Sequence, residues 1–136
     1  NVAAPVSVIV DSAPLPERGN QNDLAWCSAP DDRALYHPEI ALERISHDRR
    51  WRERVPDGRW IGMMRACGDG IGWVKDGLER LRARPDFARL GMPDLLNDLI
   101  ERGLPVKVLY VHGHWLDVND LADLERANAF AHGSLD

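Results

Sequence analysis

Asp117 stands between an apolar run and a helix-like pattern, in the stretch Gly113-His-Trp-Leu-Asp-Val-Asn-Asp120. A carboxylate held between two rigid elements at the edge of an α/β sheet sits where such sheets usually bind ligands. Mg2+ is commonly held there by one or two carboxylates together with substrate phosphates. The plainer reading is that an Asp at a strand-to-helix junction serves only as a turn or capping residue, and Asp120 fits that role well. His112 and His114 are spaced by two, which on a strand puts both rings on one face. No third ligand accompanies them, so packing or hydrogen bonding explains them more simply than a metal pair. Trp115 falls on the opposite face from His114, and a Trp in such a place is more often core than ligand contact.

The elements that must position these residues are legible around them. Pro105-Val-Lys-Val-Leu-Tyr-Val111 is almost continuously apolar and β-branched, as expected of a strand covered on both faces. A helix is expected from Asp120 onward, with Leu121 and Leu124 on one face. Ahead of the strand, Pro93 suits a first helical turn and Gly103 a stop, with Leu95, Leu96, Leu99 and Ile100 forming the apolar stripe between them. Further upstream, Asp69 reads as a cap for a helix whose apolar face is Ile71, Val74, Leu78 and Leu81, ending before Pro85. Val55-Pro-Asp-Gly58 is a turn in which Pro presets φ and Gly accepts positive φ; it feeds a strand over about residues 59–66. Residues 39–46 are ambiguous between strand and helix from their pattern. Residues 5–11 form a short strand ending in Asp11, and residues 12–33, broken by Pro14, Pro16, Gly19 and Pro30, form a long loop. Strands alternating with helices place the chain in the α/β class.

These residues, taken in order, resemble a known family. Trp115-Leu-Asp117 with the following Asn119-Asp-Leu-Ala-Asp-Leu124 is similar to the closing motif of sugar-phosphate and phosphocholine-type nucleotidyltransferases. The resemblance is strongest to cytidylyltransferases that activate small phosphonates or phosphocholine, often fused to a phosphoenolpyruvate mutase. Val8-Ile-Val-Asp-Ser12 resembles the family's mid-sheet strand, and Trp60-Ile-Gly-Met-Met64 its Trp-Ile-Gly strand. Asp94-Leu-Leu96 through His114 matches the run into the closing motif. The resemblance implies part of a Rossmann-like mixed sheet flanked by helices, the later half of a nucleotide-diphospho-sugar transferase-like fold, and it tips residues 39–46 to strand. It also implies that residues 1–136 are the C-terminal portion of one nucleotidyltransferase domain. The family's early Gly-rich loop with Arg and Lys does not occur here, nor does its other metal-binding Asp, so the chain alone is expected to be inactive.

The implied chemistry is attack by a substrate phosphonate or phosphate oxygen on the α-phosphorus of a nucleoside triphosphate, CTP by the resemblance, with Mg2+ neutralising charge and pyrophosphate leaving. Asp117 would be the metal ligand. Asn119 stands where relatives often carry Asp or Thr, and its neutral amide oxygen gives it a supporting role. Asp11, Arg59, Trp60 and Trp115 are the candidate substrate-binding residues. Asp11 would face a substrate amine, since an ammonium beside a carboxylate gains a charge-assisted hydrogen bond. Relatives often carry Glu where this chain has Arg59, and Arg favours an anionic group instead. Trp26, Trp51 and Trp60 would be needed if the head group were quaternary, because aromatic faces hold such cations. Their competing reading is loop or core packing.

Composition bounds the rest. The chain has 136 residues, of which 44% are hydrophobic, and that suits one domain with its own core. A net charge of −5 argues against a nucleic-acid surface. Cys27 and Cys67 lack metal-ligand or disulfide-framework spacing, and reduced thiols suit a cytoplasmic setting. No apolar run reaches the ~20 residues of a membrane span. A sheet without its early strands would expose edges, so a homo-oligomer is expected. The alternative reading is a non-catalytic α/β module that binds a ligand or partner.

Overall fold

The computed structural model describes residues 4–13, 23–32, 39–48 and 51–112, together with the helical residues Glu125 and Asn128. These residues form an α/β fold with a five-stranded mixed sheet and two helices. The strands are β1 (Val6–Asp11), β2 (Leu24–Cys27), β3 (Leu42–Ser46), β4 (Gly58–Ala66) and β5 (Lys107–Val111), in the order β3-β2-β4-β1-β5. The helices are α1 (Asp69–Arg82) and α2 (Met92–Glu101), joined through a short 3-10 turn at Phe87–Arg89. β1 pairs with β5 in parallel and with β4 in antiparallel fashion. No helix among the described residues is long and apolar enough to cross a membrane.

β2 lies inside the stretch expected to be one loop. Its four residues, Leu24, Ala25, Trp26 and Cys27, are all buried, so the segment shows no alternation and is too short to reveal a period. It fills the sheet between β3 and β4, pairing with both.

β1 alternates cleanly, with Val6, Val8 and Val10 buried on the face that carries the main core. Leu96 and Leu99 of α2, Ile45 of β3, Val108 of β5 and Val106 just ahead of β5 belong to that core. β5 behaves differently from the strand covered on both faces that its composition implies. Val108 is buried, whereas Leu109 is 48% and Val111 36% exposed. With Ile9 and the exposed Met63, Leu109 borders an open groove of about 260 Å3 on the second face of the sheet.

The two helices correct the sequence reading in detail. Gly68, not Asp69, precedes α1, and no side chain caps it. Ile71 and Leu78 are about half exposed, and the buried positions are Gly70, Gly77 and Leu81. A Cβ on Gly70 would sit 1.9 Å from Pro5 O, and one on Gly77 would sit 2.6 Å from Leu95 Cδ1. α1 therefore approaches its neighbours through glycines, which carry no hydrophobic signal. α2 follows the expected stripe, with Leu95, Leu96 and Leu99 buried. Its first turn is held by Asp94, whose Oδ2 accepts from Gly91 N at 2.7 Å.

Each outer strand is met in part by another segment of the chain. Asn97 of α2 reaches the backbone of β3: its Oδ1 accepts from Ile45 N at 2.9 Å and its Nδ2 donates to Ile45 O at 2.8 Å. At the other side, Leu42 N donates to Val106 O and Val108 N to Ile40 O, both at 2.8 Å. The lead-in to β3 thus pairs with the start of β5, and the sheet curls until its two ends meet there.

Candidate functional site

The parallel pairing of β1 and β5 sets Asp11 beside Val111, so both strands deliver their C-terminal ends to one rim of the sheet. Antiparallel β4 begins at the same rim, with Arg59 opposite Asp11. Cross-strand partners project on the same face, which makes Asp11 and Arg59 neighbours. Gly58 permits the approach. A Cβ there would lie 2.4 Å from Asp11 O and 2.7 Å from Val10 Cγ1, and this close packing, not the positive φ expected from the turn, is why glycine occupies the position.

The chain turns sharply after β1. Ala13 N donates to Asp11 Oδ1 at 2.9 Å, so the carboxylate is oriented by its own turn. Ser12 N donates to Val111 O at 2.9 Å, extending the β1/β5 ladder by one residue. The Ser12 hydroxyl then lies among three groups: Asp31 Oδ2 at 2.5 Å, Val111 O at 3.2 Å and His112 Nδ1 at 3.4 Å. A hydroxyl has one proton, and the short contact assigns it to the Asp31 carboxylate. His112 is then placed to address the hydroxyl oxygen, at a long distance. Because the carboxylate takes the serine proton while the imidazole stands at the far end, this is not the order of a Ser-His-Asp nucleophile.

Asp31 is brought to the rim by a connection that starts in β2. Ser28 N donates to Ala41 O at 2.8 Å, and Tyr110 of β5 donates its hydroxyl to Ala29 O at 2.6 Å. Beneath this segment lies a polar hub. Arg54 binds Glu43 Oε1 at 2.8 Å and Cys27 O at 3.0 Å, and Asp57 Oδ2 accepts from Cys27 N at 2.7 Å. Burial pushes the Cys27 thiol up to about 12, with a smaller opposing effect from its hydrogen bond to Tyr110. Burial likewise raises Tyr110 well above the usual phenol value, so its hydroxyl is a donor at neutral pH.

The tryptophans considered for a cation cage are elsewhere engaged. Trp26 is fully buried and donates Nε1 to Arg54 O at 3.1 Å. Trp60, 5% exposed, donates Nε1 to Met63 O at 2.9 Å across a bulge at which Gly62 takes a φ of 89°. Trp51 packs edge-on against Trp26 and carries the Arg52 guanidinium on its ring, 4.6 Å from the centroid.

Of the candidate residues, Asp11 and Arg59 come together at the rim, and Trp60 follows Arg59 but turns into the core. Asp117, Asn119 and Trp115 lie outside the described residues, as do His114 and the start of the final helix. Among the described residues, no group of three or more His, Cys, Asp or Glu side chains is arranged to hold a metal ion. Sequence reasoning missed Ser12, Asp31 and Tyr110. The adjacent pair Asp31-Asp32 after Pro30 was the one available signal, and nothing local ties it to Ser12, 19 residues away. Comparison with family models, with characterised proteins and with solved structures gave no match to this chain.

Proposed function

We propose that the chain is the later half of a Mg2+-dependent nucleotidyltransferase domain that moves a nucleoside monophosphate, CMP from CTP, onto a small phosphonate or phosphocholine-like substrate. The observation that carries this reading is the parallel β1/β5 rim, which sets Asp11 and Ser12 beside the end of β5, just ahead of Gly113–Asp120 in sequence. In the reaction, a substrate oxygen forms a bond to the α-phosphorus and the bond from that phosphorus to the pyrophosphate oxygen breaks. Mg2+, held by Asp117 with support from Asn119, would supply neutralisation of the phosphate charge.

The described residues serve orientation. Asp11, fixed by Ala13 N, presents a carboxylate at the rim, and Arg59 beside it suits a phosphonate or phosphate oxygen. With Trp26, Trp51 and Trp60 committed to packing, the carboxylates and hydroxyl of the rim favour a primary ammonium over a quaternary one. The test is pyrophosphate release by the chain together with any residues its gene encodes ahead of Asn1, with Mg2+, each nucleoside triphosphate and a panel of small phosphonates. No release with any combination defeats the proposal.

The second reading, a non-catalytic binding module, is favoured by the partial covering of both sheet edges within the chain, at Asn97 and at residues 40–42. It requires that residues 1–136 alone unfold cooperatively and bind a ligand without turnover.

A further inference from the structure

The second face of the sheet stands open and carries a defined charge pattern. Val6, Val8 and Val10 turn into the core, so Ser7, Ile9 and Asp11 of β1 lie on the other face. The register sets Arg65 and Lys107 on either side of Ser7, Leu109 beside Ile9, and Arg59 and Val111 on either side of Asp11. The face therefore has an apolar middle, to which Met63 adds, between a basic end at Arg65 and Lys107 and a mixed end at Arg59 and Asp11. Met63, Leu109 and Val111 stand exposed in the single chain, so the occupant of this face comes from a second molecule.

Charge decides how a second copy would fill it. Stacking the face on itself about a two-fold axis at Ile9 brings like charges together in either direction. Arg65 falls on Lys107 if the strands of the two copies run parallel, and on Arg59 if they run antiparallel. The complementary charge lies at the other end of the sequence. Residues 113–136 hold Asp117, Asp120, Asp123, Glu125 and Asp136 against Arg126 and no Lys, with Leu116, Leu121, Leu124 and Phe130 interspersed. Within this stretch Glu125 is helical and exposed. We propose that two copies associate reciprocally, each laying its acidic segment 113–136 on the open face of the other, apolar side chains toward Ile9, Met63 and Leu109 and acids toward Arg65 and Lys107. The segment follows β5 directly, and a reciprocal exchange gives a closed two-fold dimer with no further surface to extend it. The dimer is independent of nucleotidyl transfer.

The experiment measures self-association of the full chain by sedimentation equilibrium, with two charge-reversed variants. One reverses the face, Arg65→Glu with Lys107→Glu; the other reverses the segment, Asp123→Lys with Glu125→Lys. The unsubstituted chain should dimerise, and each variant alone should associate about tenfold more weakly or worse. An equal mixture of the two restores complementarity at both contacts, since the acidic face meets a basic segment and the basic face an acidic one. With one chain fluorescently labelled, the mixture should form a heterodimer to within about threefold of the unsubstituted affinity. Rising salt should weaken the unsubstituted dimer. A monomeric unsubstituted chain overturns the proposal and leaves the face open or covered by the chain's own segment. A dimer that survives the segment reversal assigns the contact to face stacking and also overturns it, as does a mixture no tighter than the separate variants. If the face variant does not fold, the segment variant and the salt series decide: association indifferent to both refutes the exchange.

Discussion

Replacing Asn97 with Ala removes the clamp that α2 places on the open side of β3. Two hydrogen bonds are lost, at 2.9 and 2.8 Å, and the Ile45 N–H and C=O are left facing a helix. Ile45 is 2% exposed, so water reaches these groups poorly. Each net hydrogen bond is worth about 1 kcal/mol and an unsatisfied buried group costs more, which puts the total at roughly 2–4 kcal/mol. Urea unfolding followed by tryptophan fluorescence measures it, with the midpoint falling and the slope unchanged. Asn97→Asp sharpens the test. Its carboxylate can accept from Ile45 N but repels Ile45 O at neutral pH, and only the protonated acid can donate. That variant should therefore recover stability as pH falls through its carboxyl pKa, whereas Asn97→Ala should not. A loss below about 0.5 kcal/mol for Asn97→Ala would refute the claim that this side chain closes the sheet edge.

Glu53→Gly should stabilise the chain by about 1 kcal/mol, because Arg52 and Glu53 both hold positive φ, at 51° and 57°, in the turn closed by Arg54 N on Trp51 O; thermal unfolding checks it, and a lower midpoint contradicts the strain. Gly58→Ala should lose about 2 kcal/mol or more and displace Asp11, read as a chemical-shift change at Ala13 N, since the new methyl meets Asp11 O. Cys27 should lose stability to alkali. Its folded value lies above the ordinary 9.0, so its contribution is complete below about pH 9 and declines as pH rises toward about 12; Cys27→Ala should flatten that part of the profile. Self-association, expected from the sequence, should run through the open face around Met63 and Leu109 and not through the partly covered edges. Leu109→Asp should then give a monomer by light scattering, and an unsubstituted chain that is already monomeric contradicts the expectation.

The pattern of residues made much of the sheet legible, and the misses share a cause. β1 and β4 announce themselves through alternation and a turn, and α2 through Leu95, Leu96 and Leu99 at helical spacing. β2 is hidden because a four-residue strand buried on both faces has no period. The packed face of α1 is legible only in part: Leu81 and Val74 of the expected stripe pack inward, but the close contacts are made by Gly70 and Gly77. At the rim, Asp11 is singled out in the sequence by its place at the end of a strand and Arg59 only through the resemblance, and the β1/β4 pairing sets the two opposite each other. Asp31 and Tyr110 are not singled out, because their roles arise from hydrogen bonds spanning 19 and 81 positions. Asn97 is similar: a polar residue on an apolar helix stripe looks like surface until the edge strand is in place.

Pyrophosphate release is the most direct measure of the proposed nucleotidyl transfer. The chain, with any residues its gene encodes ahead of Asn1 and supplied with Mg2+, CTP and an aminoalkylphosphonate, should release pyrophosphate in step with loss of CTP. Asp117→Asn should reduce kcat/KM by about a hundredfold or more, as expected when a metal ligand is weakened. Release that proceeds undiminished in Asp117→Asn, or no release with any nucleoside triphosphate and any small phosphonate, would contradict it.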